Sequence, residues 1–256
     1  MQTVTSADGT AIAYERDGDG PPLVLLHGGS ATRESFRPLL PHLIEDFTVL
    51  RPDRRGRGDS GDAAEYALQR EVEDLAAVLD DLDGEATVFG HSFGGFVSLQ
   101  AAIEGVPMDR LLLYEPSVLV GEAREGADLA DRMQAALDEG DREGAMAMFF
   151  REGGGVPEPE TLPIWPDEVN FHLAETVVRE NRAIEDFELP DSPAIDVPTL
   201  LLTGERGPTH LKAAIEVLDE RVPQSEVVEL DGLGHVATET APGAVANVVR
   251  EFVGEA

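Results

Sequence analysis

Apolar runs alternate with helical patterns along most of this 256-residue chain, which predicts an α/β fold: a mostly parallel eight-stranded sheet flanked by helices. Three observations carry the prediction. The runs LVLL at 23–26, LLLY at 111–114 and TLLL at 199–202 are apolar throughout, as strands buried on both faces are. Helical patterns follow several strands; between 68 and 82, Val72, Leu75, Ala76, Leu79 and Leu82 share one face. The alternation stops after the sixth strand, between 117 and 195, and the segment there reads as helices inserted into the fold.

The elements follow in order. Strands at 4–6 and 12–15 flank Asp8-Gly9, a dipeptide suited to a tight hairpin turn. A short strand at 23–26 ends at His27-Gly28-Gly29, a helix is expected within 33–45, and a strand covers 47–50. The helix at 68–82 leads to a strand at 86–90, a helix at 93–104 and a strand at 111–114. Within the insert, helices are expected near 127–138, 142–151 and 167–186, with the glycine- and proline-rich stretch GGGVPEPETLPIWP between the last two. A strand at 199–203, a helix at 208–218, a strand at 227–230 and a helix at 242–252 complete the chain. Residues 1–116 and 196–256 thus form the body, and 117–195 a helical lid that looks too short to bury a core of its own. Its Met133, Met146, Met148, Phe149, Phe150 and Trp165 are expected to pack it onto the body, one face lining an apolar pocket. In parallel sheets ligands sit at the carboxyl ends of the strands, and His27, Ser92, Glu115 and Glu205 all fall there.

Composition narrows the function classes. Nineteen basic residues face 51 acidic ones, for a formal charge of −32, and Lys212 is the single lysine. So many carboxylates repel one another at low salt and are screened at ~1 M, where the Debye length is about 3 Å. The balance predicts a protein of a highly saline cytoplasm, with an acidic mesophilic protein as the alternative reading, and under either it makes nucleic acid and anionic membrane poor partners. No apolar run approaches the ~20 residues of a membrane span, and the start MQTVTSADGT does not resemble a signal peptide. With no cysteine, disulfides and thiolate chemistry are excluded. No His/Asp/Glu cluster has metal spacing, Asp80, Asp81 and Asp83 reading as a solvated helix end. No cofactor is expected.

Chemistry is concentrated in GHSFGG at 90–95. It fits G-x-S-x-G, follows the strand ATVFG and opens the helix FVSLQAAIEG, the setting that displays a nucleophilic serine on a tight turn. A phosphate loop would need a following Lys and Ser/Thr, and a dinucleotide turn would need G-x-G-x-x-G; neither is present. By itself the motif also admits a chance match in a glycine-rich chain.

HGG at 27–29, DRRGRGDS at 53–60, GHSFGG and GLGH at 232–235, in this order and spacing, resemble the α/β-hydrolase superfamily over nearly the whole chain. The resemblance implies a serine hydrolase acting on a small-molecule ester, with Ser92 as nucleophile and His235 as base. It points to the amides of Gly29 and Phe93 as the oxyanion hole, and it gives DRRGRGDS, with Asp53 and its arginines, the task of tying down loops. The acid stays open. The family's usual aspartate position holds Gly207. A second placement known in the superfamily, after the strand following the elbow helix, holds Glu115, and Glu205 is the alternative. His27 and His91 read as structural parts of their turns, and His42, His172 and His210 as surface or packing residues. C–C bond hydrolysis, thioester and lactone hydrolysis and perhydrolysis use the same three residues. Epoxide hydrolysis and dehalogenation are disfavoured, because superfamily members doing those carry aspartate where Ser92 stands. Rival readings are a small-molecule-binding protein on this fold, for which the residue at 207 speaks, and a scaffold acting through its lid.

Overall fold

The computed structural model describes residues 1–82, 84–162 and 164–254; Asp83 of the acidic helix end and Pro163 of the proline-rich loop lie outside the described residues. One sheet contains β1 (Gln2–Thr5), β2 (Ala11–Asp17), β3 (Pro22–Leu26), β4 (Thr48–Pro52), β5 (Thr87–His91), β6 (Arg110–Tyr114), β7 (Thr199–Gly204) and β8 (Ser225–Leu230), in the order β1-β2-β4-β3-β5-β6-β7-β8. β2 runs antiparallel to both β1 and β4, and every other pairing is parallel.

Side chains alternate between two cores, as the period of two demands. Val24, Leu26, Val88, Leu111, Leu113 and Leu201 face one core, with α1 (Leu68–Asp80), α2 (Phe93–Ile103) and α7 (Thr209–Arg221) packed over it. Leu23, Leu25, Phe89, Leu112, Leu200 and Leu202 face the other, under residues 36–43 and under α8 (Ala237–Thr240) and α9 (Pro242–Gly254). This double covering is the reason the central strands carry no polar alternation. Each leucine so buried contributes ~1.5–3 kcal/mol over leaving it exposed.

Between β6 and β7 the chain inserts α3 (Gly121–Glu125), α4 (Leu129–Asp138), α5 (Arg142–Glu152) and α6 (Ala174–Asp186). The insert does bury a small core of its own, contrary to expectation: Met133, Met146, Leu173, Val177 and Val178 form a separate apolar cluster. The single helix expected within 33–45 is instead two 3-10 turns, Arg33–Phe36 and Leu40–His42. Pro38 and Pro41 lack the N–H that a continuous helix needs, so the segment breaks. α6 starts at Ala174, after a 3-10 turn at Phe171–Leu173, rather than at 167. The short α3 and α8 have too few turns to leave a periodic pattern.

Candidate active site

β5 ends at His91 and α2 begins at Phe93, leaving Ser92 alone to turn the chain. It does so at φ 56° and ψ −120°. A non-glycine residue there is strained by about 1–3 kcal/mol and needs surrounding structure to hold it. The Ser92 amide donates to Tyr114 O at 3.0 Å, and its carbonyl accepts from Phe96 N at 3.0 Å and Ser117 N at 3.1 Å. The turn is also packed from below: a Cβ on Gly94 would overlap the carbonyl oxygens of Leu26 and His27. The first-turn amides of α2, with the positive end of the helix dipole, therefore lie beside the serine.

The sheet brings Glu115 to His235, 120 positions away. His235 Nδ1 donates to Glu115 Oε2 at 2.6 Å, which leaves Nε2 free to accept a proton. Glu115 is wholly buried at the end of β6, and its φ of 42° is the other positive value outside glycine among the described residues. Its second oxygen accepts from Thr203 Oγ1 and from Gly204 N, each at 2.9 Å. These bonds offset the desolvation of a buried charge. Gly207 explains why the carboxylate comes from this strand. A Cβ at 207 would overlap Glu115 Oε1, so a side chain at 207 and this carboxylate cannot share the space. Glu205, the alternative acid, is bound elsewhere: its Oε2 accepts from Gly232 N at 2.6 Å and so braces the loop that carries His235.

Two neighbours hold the same loop. His91 Nε2 donates to His235 O at 2.8 Å, and Tyr114 OH donates to Gly234 O. Burial, with the adjacent His235 as a smaller cause, pushes His91 down to about 3. It thus stays neutral and keeps its donor pointed at the loop. The chain motif suggested a structural His91; the contact with residue 235 needed the tertiary structure.

The hydroxyl of Ser92 lies 3.3 Å from Ser117 Oγ, and no hydrogen bond joins it to His235 among the described residues. Nucleophile–base contacts are often looser without substrate. Ser117 went unremarked in the sequence, although its place two residues past Glu115, at the mouth of a parallel strand, was a signal.

Gly29 and Phe93, the residues singled out for an oxyanion hole, have amides with no protein acceptor among the described residues. The carbonyls beside Gly29 are held from behind. Gly28 O accepts from His27 Nδ1 at 2.9 Å and from Arg54 Nη2 at 3.4 Å. Gly29 O accepts from Arg57 Nη2 at 2.6 Å and Nε at 3.0 Å. Arg54 N donates to His27 Nε2 at 3.1 Å, which fixes the neutral tautomer, and burial lowers the pKa of this ring well below the usual histidine range. Asp53, also buried, ties the DRRGRGDS loop by accepting from Arg33 N and Asp59 N, each at 2.9 Å.

Ser92 and His235 open onto a cavity of about 860 Å³ between the strand ends and the insert. Leu119, Phe149, Phe150 and Ile184 line it. Phe149 and Phe150 meet the expectation for the insert's aromatic residues, whereas Met133 and Met146 pack the insert's own core and Trp165 packs against it. His210, read as a packing residue, also lines the cavity, and burial lowers its pKa. Glu168, Glu185 and Glu239 are among the lining residues, and none of the described ones is lysine or arginine. Among the described residues no helix is long and apolar enough to cross a membrane.

Comparison with known proteins places the fold and the family. An alpha/beta hydrolase of known structure from Sphaerobacter thermophilus is 39% identical, with a TM-score of 0.86 over 98% of this chain and 100% of that one. Pimeloyl-(acyl-carrier protein) methyl ester esterase from Aeromonas hydrophila is 28% identical over 258 residues, 95% of this chain and 100% of the relative. Epoxide hydrolase A from Mycobacterium tuberculosis is 26% identical over 293 residues, 91% of this chain and 90% of the relative. The sequence profile of the alpha/beta hydrolase family matches residues 23–248, nearly the whole span from β3 to α9, and the chain belongs to that family.

Proposed function

We propose that this chain is a serine hydrolase that cleaves a small-molecule carboxylic ester through an acyl-enzyme. The observation that carries the reading is the 2.6 Å bond from His235 Nδ1 to buried Glu115, opening onto the cavity where Ser92 stands on its strained turn. Ser92 Oγ rotates from Ser117 toward His235, which takes its proton as a new bond forms to the ester carbonyl carbon. The negative oxygen that develops is received by the amides of Gly29 and Phe93. His235 then gives the proton to the leaving alkoxide as the carbon–oxygen bond breaks. Water, deprotonated by the same imidazole, attacks the acyl-enzyme; its collapse returns the proton to Ser92 and releases the carboxylic acid. Glu115 orients the ring and stabilises its cation throughout.

The lining supports a neutral, partly apolar acyl group. Glu168, Glu185 and Glu239 lie on the lining and none of its described residues is lysine or arginine, so a substrate carboxylate would find no guanidinium or ammonium partner there. The test is hydrolysis of p-nitrophenyl esters of graded chain length in molar KCl, with Ser92→Ala as control and fluorophosphonate labelling mapped by mass spectrometry. Turnover and a label on Ser92, both lost in the variant, are expected. A non-catalytic binding protein is the second reading, favoured by the Ser92–Ser117 contact; an unlabelled Ser92 in folded protein would establish it.

A further inference from the structure

Beneath the loop that carries Gly29 lies a buried ion cluster in which one oxygen does unusual duty. Glu180 Oε1, on the insert's helix α6, accepts from Arg54 Nη2 at 2.5 Å and from Arg57 Nη2 at 2.8 Å. Those same two guanidiniums grip the carbonyls on either side of Gly29. A trans peptide points its N–H opposite its C=O. Holding Gly28 O therefore aims the Gly29 amide, and holding Gly29 O fixes the next peptide. Glu180 is 1% exposed, abuts Gly29 and leaves its other oxygen without a partner among the described residues. Arg54 has Glu71 as a further carboxylate partner at 3.3 Å, whereas Glu180 is the carboxylate that Arg57 meets among the described residues. Burial pushes the Arg57 guanidinium below its usual range, with Glu180 acting against it.

We propose that Glu180 is a positioning residue: acting through Arg54 and Arg57, it couples the seating of helix α6 to the orientation of the Gly29 amide. The insert then completes the oxyanion hole as well as roofing the cavity. This rests on the reading of Gly29 as an oxyanion donor. The same helix provides its own control. Arg179, the preceding residue, pairs with Asp62 at 2.8 and 3.0 Å, near the surface and without touching Gly28 or Gly29.

The experiment compares Glu180→Gln with Asp62→Ala. Amide hydrogen exchange over residues 23–33, which needs no turnover, is read beside kcat, KM and the inhibition constant of an alkyl trifluoromethyl ketone, which binds serine hydrolases as an anionic adduct. Glu180→Gln should speed exchange in this segment, lower kcat by about 10²-fold with KM little changed, and weaken the ketone in parallel, since misplacing a group by about 1 Å can cost that much. Asp62→Ala should leave all of these near the parent values. Parent-like exchange and ketone binding in Glu180→Gln would overturn the proposal, as would equal changes in Asp62→Ala. A parent protein that turns over no ester overturns the hydrolase reading instead, and the exchange data still decide whether Glu180 fixes the loop.

Discussion

Replacing Gly207 by alanine should remove most of the activity while leaving every residue proposed to act in the reaction unsubstituted. The backbone at 207 is not in the left-handed region, so the local chain tolerates a side chain there. What does not tolerate it is Glu115, whose Oε1 occupies the space a Cβ needs. The carboxylate must move, yet it is held by Thr203, Gly204 and His235 at 2.9, 2.9 and 2.6 Å. Shifting it breaks the bond that sets the imidazole tautomer. Loss of that orientation costs up to ~10⁴ in kcat in related chemistry, or about 5.5 kcal/mol of barrier. With partial relaxation we expect a fall of about 10²–10⁴ in kcat/KM. The assay is ester hydrolysis on protein shown to be folded by calorimetry. A second variant turns the clash into a rescue. Glu115→Gly with Gly207→Asp moves the acid to the other strand and should recover at least about tenfold over Glu115→Gly alone. A Gly207→Ala protein as active as the parent would refute the reasoning.

Further outcomes follow from the same geometry. Glu115→Gln should lower kcat by several orders of magnitude, while Glu205→Gln, which keeps an acceptor for Gly232 N, should be mild in steady-state assays; the opposite ranking would reassign the acid. For His91, held near 3 when folded, the unfolded imidazole gains a proton below its ordinary 6.5 that the folded one refuses, so stability is full above 6.5 and is lost as pH falls toward 3. This contributes a slope of ~1.4 kcal/mol per pH unit. Glu71, whose carboxyl is pushed up by burial, gives the opposite slope above its ordinary 4.5, so the difference between parent and His91→Gln in urea melts at pH 7, 6 and 5 isolates the histidine. Equal pH slopes in the two proteins would contradict its burial as a neutral donor. Raising KCl from ~50 mM to ~1 M should raise the melting temperature as carboxylate repulsion is screened; a flat response would remove the case for salt adaptation.

The sequence by itself determined the strand–helix order and the elements that bear the site, because period, turn glycines and unbroken apolar runs are local properties. Ser92 between a strand and a helix, the HGG turn and the late histidine loop were legible for that reason. The break of the expected helix into 3-10 turns is written locally too, in Pro38 and Pro41, which lack the N–H a continuous helix needs. Only the tertiary structure decided which carboxylate meets His235. Glu115 and Glu205 both follow strand ends, and nothing along the chain says that the space at Gly207 is filled from the neighbouring strand. It also decided that Glu180 reaches across 126 positions to Arg54, and that the insert buries a core of its own. Contacts of that kind depend on packing in three dimensions, where a carboxylate is placed by the volume left open to it and by the donors converging there, and neither is written in the order of residues.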